Sequence, residues 1–201
     1  MSSDHDKKKK TDQLKLRESV IKLDRECLIL PVKNDGIETR MKLLVAGKIR
    51  LDYAIKLPSK AGEVDWFAFF SIKQFKGKDA RLSVDSATED AFNNIRQVDT
   101  IPNSKNIYSE HLRPQYHFTS KTGWLNDPNG LIWYKGEYHM FYQHNPTSLK
   151  HGNMTWGHAV SEDLNHWREK PKVLFPEATT GTCFSGAAFI DYKNQLERKT
   201  G

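Results

Sequence analysis

The chain contains little cysteine, with only Cys27 and Cys183 among its 201 residues. The two are far apart in sequence, and neither stands in the spacing of a metal-binding motif. Two buried free thiols are therefore expected rather than a disulfide. The sequence predicts no metal site and no cofactor.

The sequence also lacks a long apolar run. No stretch approaches the roughly 18 apolar residues that a membrane-spanning helix needs, so the sequence predicts no membrane span. The basic run Lys7–Lys10 is not followed by the apolar core of a signal peptide, so none is visible in the chain as given. The localisation of the protein is left open at this stage.

Clustered basic charge is absent as well. The formal net charge is +6, from 31 Lys and Arg against 25 Asp and Glu. Outside the first ten residues the positive charges are spread without a basic stripe, and nucleic-acid binding would require such a stripe with stacking aromatics on one face. The sequence therefore predicts no nucleic-acid partner.

Residues 1–18 are polar and charged, which predicts a disordered tail. Residues 19–110 carry a β pattern followed by a connection. The clearest strand is at residues 47–57, where Ile49, Leu51, Tyr53, Ile55 and Leu57 alternate with polar residues as in a half-buried strand. Apolar runs at residues 27–32, 64–72 and 80–84, separated by turn residues, predict a β-sandwich-like module. Residues 86–110 are interpreted as a connection with one short helix within 89–96, and thus as the domain boundary.

After residue 111 the pattern changes to short aromatic strands. Residues 131–134 and 137–143 flank Lys135-Gly136, a strong hairpin signal. Further strands are predicted at residues 155–161 and 166–169. Four short antiparallel strands within about 40 residues match one propeller blade. The apolar run at 184–190 is interpreted as a strand that begins a second blade.

One segment, Trp124-Leu-Asn-Asp-Pro-Asn-Gly130, carries the chemistry. Its last five residues are turn formers, so the letters alone favour a surface turn. Trp124 and Leu125 before the turn and an apolar strand after it favour a second interpretation. In that interpretation Asp127 is fixed by Pro128, shielded from water and ionised, as a carboxylate nucleophile must be.

The segment resembles the signature of glycoside hydrolase family 32, which includes invertases, levanases, inulinases and fructan β-fructosidases. Further matches follow in order: Phe-Tyr-Gln-His-Asn-Pro at 141–146, Trp-Gly-His-Ala at 156–159 with Ser161, Asp163-Leu164 and His166-Trp167, and Phe-Ser-Gly at 184–186. The resemblance covers about residues 111–192. The module before it is more weakly similar to one that precedes the propeller in some bacterial members.

The resemblance implies an all-β fold, a five-bladed β-propeller of which residues 111–201 form the first one to two blades. It also implies a retaining glycosidase that acts on terminal β-fructofuranosyl linkages, with a fructose-containing oligo- or polysaccharide such as sucrose, levan or inulin as partner. Asp127 is then the nucleophile, and in retaining enzymes the acid/base carboxyl lies about 5–5.5 Å away. Asn126 and Gln143 would bind fructosyl hydroxyls, Trp124 would wall the pocket, and Leu125, Phe184 and Ser185 would complete the substrate contacts.

His151 departs from the family pattern, because many members have Trp before the Gly-Asn that precedes Trp-Gly-His. The imidazole is either an altered pocket lining, since it covers less apolar area but can donate a hydrogen bond, or an exposed loop side chain. His151 is included among the substrate-binding residues.

Two family motifs are missing from the chain, Arg-Asp-Pro and the Glu-Cys that carries the acid/base. The Glu-Cys at residues 26–27 lies upstream of the nucleophile and is interpreted as coincidence. The expectation is therefore that the chain is the N-terminal part of a longer enzyme, inactive alone, and exported to the periplasm or medium in its full length. The alternatives are a non-catalytic carbohydrate-binding module and a fructosyltransferase of related fold.

Overall fold

The computed structural model describes residues 13–176 and 181–195. Their regular secondary structure is almost entirely antiparallel β-sheet, as predicted, and the residues divide into two compact units. Unit 1 comprises residues up to 50 together with 54–99, and unit 2 comprises residues 51–53 and the chain from 100 onward. The division after Asp99 falls within the predicted connection. Across residues 13–176 and 181–195, every helix is too short or too polar to cross a membrane.

Unit 1 contains two antiparallel sheets. Their strands are β1 (Lys15–Lys22), β2 (Cys27–Val32), β3 (Ile37–Val45), β4 (Lys48–Leu57), β5 (Trp66–Ser71), β6 (Asp79–Ala87) and β7 (Arg96–Val98). The four-stranded sheet has the order β1-β6-β3-β4, and the three-stranded sheet has the order β5-β2-β7. Helix α1 (Glu89–Asn93) and short 3-10 turns at Ala61–Glu63 and Lys73–Phe75 connect them.

The core of unit 1 follows the strand alternation. In β3 and β6 every second residue is buried, so one face of the four-stranded sheet is apolar. Strand β2 is buried continuously from Leu28 to Val32, as expected of a central strand between β5 and β7. In β4 the predicted alternation is confirmed from Leu51 onward, whereas Ile49 is exposed.

Strand β1 corrects the predicted disordered tail. It begins at Lys15 and pairs with β6 from residue 15 to residue 22, so the prediction is wrong for residues 15–18. The strand has no buried residue and forms the edge of its sheet. It is held by backbone pairing and by Arg17, which donates to the carbonyl of Ala87 at 3.2 Å. Residues 1–12 lie outside the described residues.

Helix α1 confirms the short helix predicted within residues 89–96. Thr88 is its N-cap, and the Thr88 hydroxyl accepts a hydrogen bond from the backbone N–H of Ala91 at 3.1 Å. Such a cap satisfies one of the free N–H groups of the first turn.

Unit 2 is built on one four-stranded antiparallel sheet with the order β11-β10-β9-β8. Its strands are β8 (Trp124–Tyr134), β9 (Glu137–Asn145), β10 (Thr155–Ser161) and β11 (Trp167–Leu174), preceded by a 3-10 turn at Ser104–Asn106. Neighbouring strands are consecutive in sequence, as predicted for one propeller blade. The predicted hairpin is confirmed at Lys135-Gly136, whose φ angles of 50° and 84° fit the type I′ turn.

One face of this sheet forms a core of Met140, Tyr142 and Ala159, with Phe118, Leu125 and Trp167 packed against it. Burying a side chain of this kind stabilises the fold by about 1.5–3 kcal/mol. The Phe118 ring lies 5.1 Å from Tyr142 and 6.3 Å from Trp167, measured between ring centroids. Phe118 therefore fastens the segment before β8 onto the sheet.

The strand predicted at residues 184–190 does not form. A strand needs a neighbouring ladder, and among the described residues the backbone of this segment makes one bond to β8, from Gly130 N–H to the Gly186 carbonyl at 3.1 Å. The apolar pattern predicts a buried strand, but Phe184 and Phe189 are exposed, so this prediction is wrong.

Candidate active site

Asp127 lies in a bulge within β8, not in a turn ahead of the strand. Asn126 pairs with Gln143 and Pro128 pairs with Tyr142, so Asp127 is an extra residue between two adjacent register positions. Its φ of 38° is in the left-handed region, which aspartate tolerates better than most residues. The Asn129 amide donates to the Asp127 carbonyl at 3.0 Å and holds this conformation.

The environment of Asp127 corrects the prediction that it is shielded from water, because its side chain is exposed. A bulge turns the extra residue out of the ladder, which explains the exposure. Ser185 Oγ donates to Asp127 Oδ2 at 2.9 Å. This hydrogen bond, a second from Asn126 and the charge of His151 lower the pKa of the Asp127 carboxyl. The carboxylate is therefore ionised and fixed by hydrogen bonds.

Asn126 is oriented by Trp124, whose indole N–H donates to Asn126 Oδ1 at 2.9 Å. This contact directs the amide NH₂ of Asn126 toward Asp127, consistent with its hydrogen bond to the carboxyl. Trp124 is partly exposed and lies on the same strand face as Asn126. The two predicted site residues are thus brought together.

The side chain of Gln143 also contacts Ser185. Its Nε2 donates to Ser185 Oγ at 3.3 Å, so Gln143, Ser185 and Asp127 form one hydrogen-bonded row. The Gln143 side chain is 3% exposed, and its Oε1 has no hydrogen-bond partner among residues 13–176 and 181–195. A buried unpaired amide oxygen is unfavourable by about 1–3 kcal/mol.

Two hydrogen bonds, one from β10 and one from β8, fix segment 184–186, which carries Ser185. The Trp156 indole N–H donates to the Phe184 carbonyl at 2.9 Å, and Gly130 N–H bonds the Gly186 carbonyl. A Cβ on Gly186 would lie 3.2 Å from the Trp156 ring, so glycine permits this approach. The Phe184 ring, predicted to contact substrate, is 80% exposed, and it is the backbone of Phe184 that contributes here.

Leu125 is placed away from the site. Successive strand residues point to opposite faces, and Leu125 packs against the core of Met140, Tyr142 and Ala159 instead. Its prediction as a substrate contact is therefore corrected. His151 is exposed in the loop between β9 and β10. It is one of the smaller causes of the lowered pKa of the Asp127 carboxyl.

His144 is a further residue near the site that the sequence did not predict. This side chain is buried, and its Nε2 lies 2.8 Å from the Thr122 carbonyl, so it anchors the chain just before Trp124. Burial, assisted by the charge of Lys172, lowers the pKa of His144 to about 3, and the ring is neutral. The available signal was the run Gln-His-Asn at 143–145, three polar residues where a half-buried strand alternates.

The two cysteines and the histidines of β9 and β10 can also be placed in the structure. Cys27 and Cys183 form no disulfide among the described residues, and both are partly exposed rather than buried.

His139 and His158, on neighbouring strands, form a hydrogen bond of 3.0 Å between ring nitrogens, and Phe141 stacks on His158. They contribute to the same sheet face as Gln143.

Comparison with known proteins gives one family. The model of the Glycosyl hydrolases family 32 N-terminal domain matches residues 117–198. Levanase from Bacillus subtilis (strain 168) is 52% identical over 94 residues, which cover 47% of this chain and 14% of the levanase. Sucrose-6-phosphate hydrolase from Escherichia coli is 50% identical over 80 residues, covering 39% of this chain and 17% of that protein.

Among solved structures, the exo-inulinase from Aspergillus awamori is similar. It has 46% identity and a TM-score of 0.40, and the match covers 43% of this chain and 18% of the inulinase. The chain therefore spans less than a fifth of the length of each of these three proteins.

Proposed function

Residues 117–198 belong to glycoside hydrolase family 32, and from that premise we propose that the chain supplies the nucleophile and the fructosyl-binding side of a retaining β-fructofuranosidase site. One observation carries the proposal: Asp127 Oδ2 accepts from Ser185 Oγ at 2.9 Å, beside the buried, unpartnered Oε1 of Gln143. The first group is a fixed anion, and Gln143, which donates to Ser185, is proposed to bind a sugar hydroxyl.

The proposed chemistry uses the Asp127 carboxylate, which Ser185 holds at Oδ2. One carboxylate oxygen attacks the anomeric carbon. The bond from that carbon to the carboxylate oxygen forms as the bond to the leaving oxygen breaks, and the leaving oxygen takes a proton from a second carboxyl about 5–5.5 Å from the nucleophile. Water then hydrolyses the fructosyl ester. The lowered pKa of Asp127 keeps the attacking group ionised at neutral pH.

The proposed substrate is a fructose-containing oligo- or polysaccharide. The similar proteins are named for levan, inulin and sucrose-6-phosphate, which supports the fructosyl unit as the shared element. Sucrose, levan and inulin are the specific candidates. Export of the protein is proposed on the same basis, because the similar exo-inulinase of Aspergillus awamori is described as extracellular.

The nucleophile can be tested without the acid. Fluoride leaves β-D-fructofuranosyl fluoride without needing protonation, so the covalent step depends on the nucleophile and on binding alone. The chain is incubated with this reagent and its intact mass is measured. We expect a mass increase of one fructosyl unit, located by peptide mapping on the segment that contains Asp127.

The matched controls separate attack from general reactivity. Asp127→Asn should form no adduct, whereas Glu162→Gln, an exposed acid in the β10–β11 turn, should form it as the parent does. No adduct in the parent, together with fructose binding that Gln143→Leu abolishes, would favour a binding module instead. An adduct that survives Asp127→Asn would overturn the assignment of the nucleophile.

A further inference from the structure

Ser185 lies on a segment outside the strands, yet its hydroxyl donates to the Asp127 carboxylate at 2.9 Å. The large side chain next to it does not anchor the segment, because the Phe184 ring is exposed. The position of Ser185 therefore depends on its bond to Gln143 and on contacts that its neighbours make through their backbone.

The indole of Trp156 contacts the segment on both sides of Ser185. On one side its Nε1–H donates to the Phe184 carbonyl at 2.9 Å. On the other side the six-membered ring lies so close to Gly186 that an added Cβ would be 3.2 Å from Cζ2 and 3.4 Å from Cη2. One side chain thus fixes both neighbours of Ser185, the first by a hydrogen bond and the second by packing.

Trp156 is itself held inside the sheet of unit 2. It lies on β10, between β9 and β11, where it pairs with Gln143 and Leu174. Its side chain is buried, and the Phe141 ring packs beside it with 5.6 Å between ring centroids. A close-packed ring keeps one rotamer, so the indole N–H is a donor in a fixed position.

We propose that Trp156 positions the nucleophile indirectly, because its indole N–H fixes the Phe184 carbonyl and thereby holds the Ser185 hydroxyl on the Asp127 carboxylate. The positional part stands on two hydrogen bonds of 2.9 Å, from Trp156 to Phe184 and from Ser185 to Asp127. The effect on catalysis rests on the proposed function.

Two tryptophan-to-phenylalanine variants separate this contact from the general loss of an indole hydrogen bond. Trp156→Phe keeps an aromatic ring and removes the N–H. Trp167→Phe is the matched control, because the Trp167 indole N–H also donates to a backbone carbonyl, that of Leu164, at 2.9 Å. Trp167 lies on β11 of the same sheet, and Leu164 lies in the β10–β11 turn, away from the segment of Ser185 in sequence.

The positional part is read on the titration of the Asp127 carboxyl, followed by carbon NMR in the parent, Trp156→Phe, Ser185→Ala and the double variant. A hydrogen bond to the ionised form lowers the pKa of a carboxyl, and Ser185 donates such a bond to Asp127. We expect Trp156→Phe to raise this pKa by no more than Ser185→Ala does, and the double variant to match Ser185→Ala. Trp167→Phe should leave the titration unchanged.

A merely structural role gives a different pattern. General loosening of unit 2 would shift the Asp127 titration to a similar extent in both tryptophan variants, or would add to the effect of Ser185→Ala. Either result overturns the proposal. An unchanged titration in folded Trp156→Phe also overturns it, because Gln143 and Gly130 would then hold the segment without the indole N–H.

A second replacement covers the case in which Trp156→Phe does not fold. Trp156 is then replaced by β-(3-benzothienyl)alanine, which keeps the shape of the indole and has sulfur in place of the N–H. The same rise in the pKa of Asp127 is expected, and an unchanged titration overturns the proposal in the same way.

The catalytic part uses the rate of covalent labelling by β-D-fructofuranosyl fluoride. Losing one positioning hydrogen bond should slow labelling about two- to tenfold in Trp156→Phe, whereas Trp167→Phe should react as the parent does. If the parent is not labelled while the Asp127 titrations behave as expected, the proposed function fails and the positioning role stands. If the parent is labelled and Trp156→Phe changes neither the labelling rate nor the titration, the positioning role fails alone.

Discussion

Gly123→Ala should destabilise unit 2 more than any other glycine-to-alanine change with the same backbone angle. The residue has φ of 83°, and a Cβ would lie under 3.0 Å from the backbone carbonyl oxygen of Asn145. Two separate effects are expected. A left-handed conformation is unfavourable for alanine by about 1–2 kcal/mol, and overpacking against a backbone atom, which no rotamer can relieve, adds about 1–3 kcal/mol.

Gly136→Ala is the matched control. Gly136 has nearly the same φ, 84°, in the hairpin between β8 and β9, but no described atom outside its chain neighbours lies within 4 Å of its ideal Cβ. It should therefore lose only the conformational part, about 1–2 kcal/mol. The difference between the two variants isolates the contact between Gly123 and the Asn145 carbonyl.

The measurement is urea unfolding of the parent and both variants at 25 °C, followed by tryptophan fluorescence. The expected loss in the free energy of unfolding is about 2–5 kcal/mol for Gly123→Ala, the sum of the two effects. Equal losses in the two variants would show that the chain before Trp124 does not pack on Asn145.

Three further predictions follow from contacts in unit 2. Arg113 uses all five of its N–H donors, on Glu110, Thr119 and the carbonyls of Ser120 and Lys121, so Arg113→Lys should lower the free energy of unfolding by about 2–4 kcal/mol. Arg168→Lys, at an exposed pair with Glu137, should change it by less than about 1 kcal/mol, and equal losses in urea unfolding would contradict this reasoning. Ser185→Ala should raise the pKa of Asp127, because Ser185 is the largest cause of its lowering; an unchanged carbon NMR titration would exclude the Ser185 contact in solution. His166 has a raised pKa because Asp163 Oδ2 lies 2.6 Å from its Nδ1, so its stabilising contribution is complete below the unfolded value near 6.5 and is lost as pH rises through the higher folded value. The stability difference between the parent and His166→Gln should therefore be larger at about pH 5 than at about pH 8, and a difference that does not change with pH would contradict the assignment.

The parts of the fold that could be predicted from sequence are those whose cause is local. The alternation in β4 reports one buried face, and Lys135-Gly136 adopts the two positive φ angles that its hairpin requires. Strand β1 could not be predicted in the same way, because none of its residues is buried and it is held by pairing with β6, more than fifty residues away. A strand without a buried face lacks the alternation of apolar and polar residues that marks β4.

The candidate active site likewise could be predicted only in part from the sequence. Motif resemblance led to Asp127, Asn126, Gln143 and Ser185, which the structure brings together. Leu125 was misplaced because a motif lists neighbours in sequence, whereas a strand sends them to opposite faces. The exposure of Asp127 was missed because it depends on a bulge, and a bulge is a mismatch between two strands rather than a property of one.

The bulge in β8 also limits how the chain can change in length. The carboxylate of Asp127 points to the site only because one extra residue stands between the pairs Asn126–Gln143 and Pro128–Tyr142, and a shift of one residue moves every following side chain to the other face. Inserting or deleting one residue between Asp127 and the hairpin at Lys135 would thus turn either the carboxylate or the core outward. Length variation compatible with the site belongs in the loop after Asn145, where added residues leave both strand registers intact.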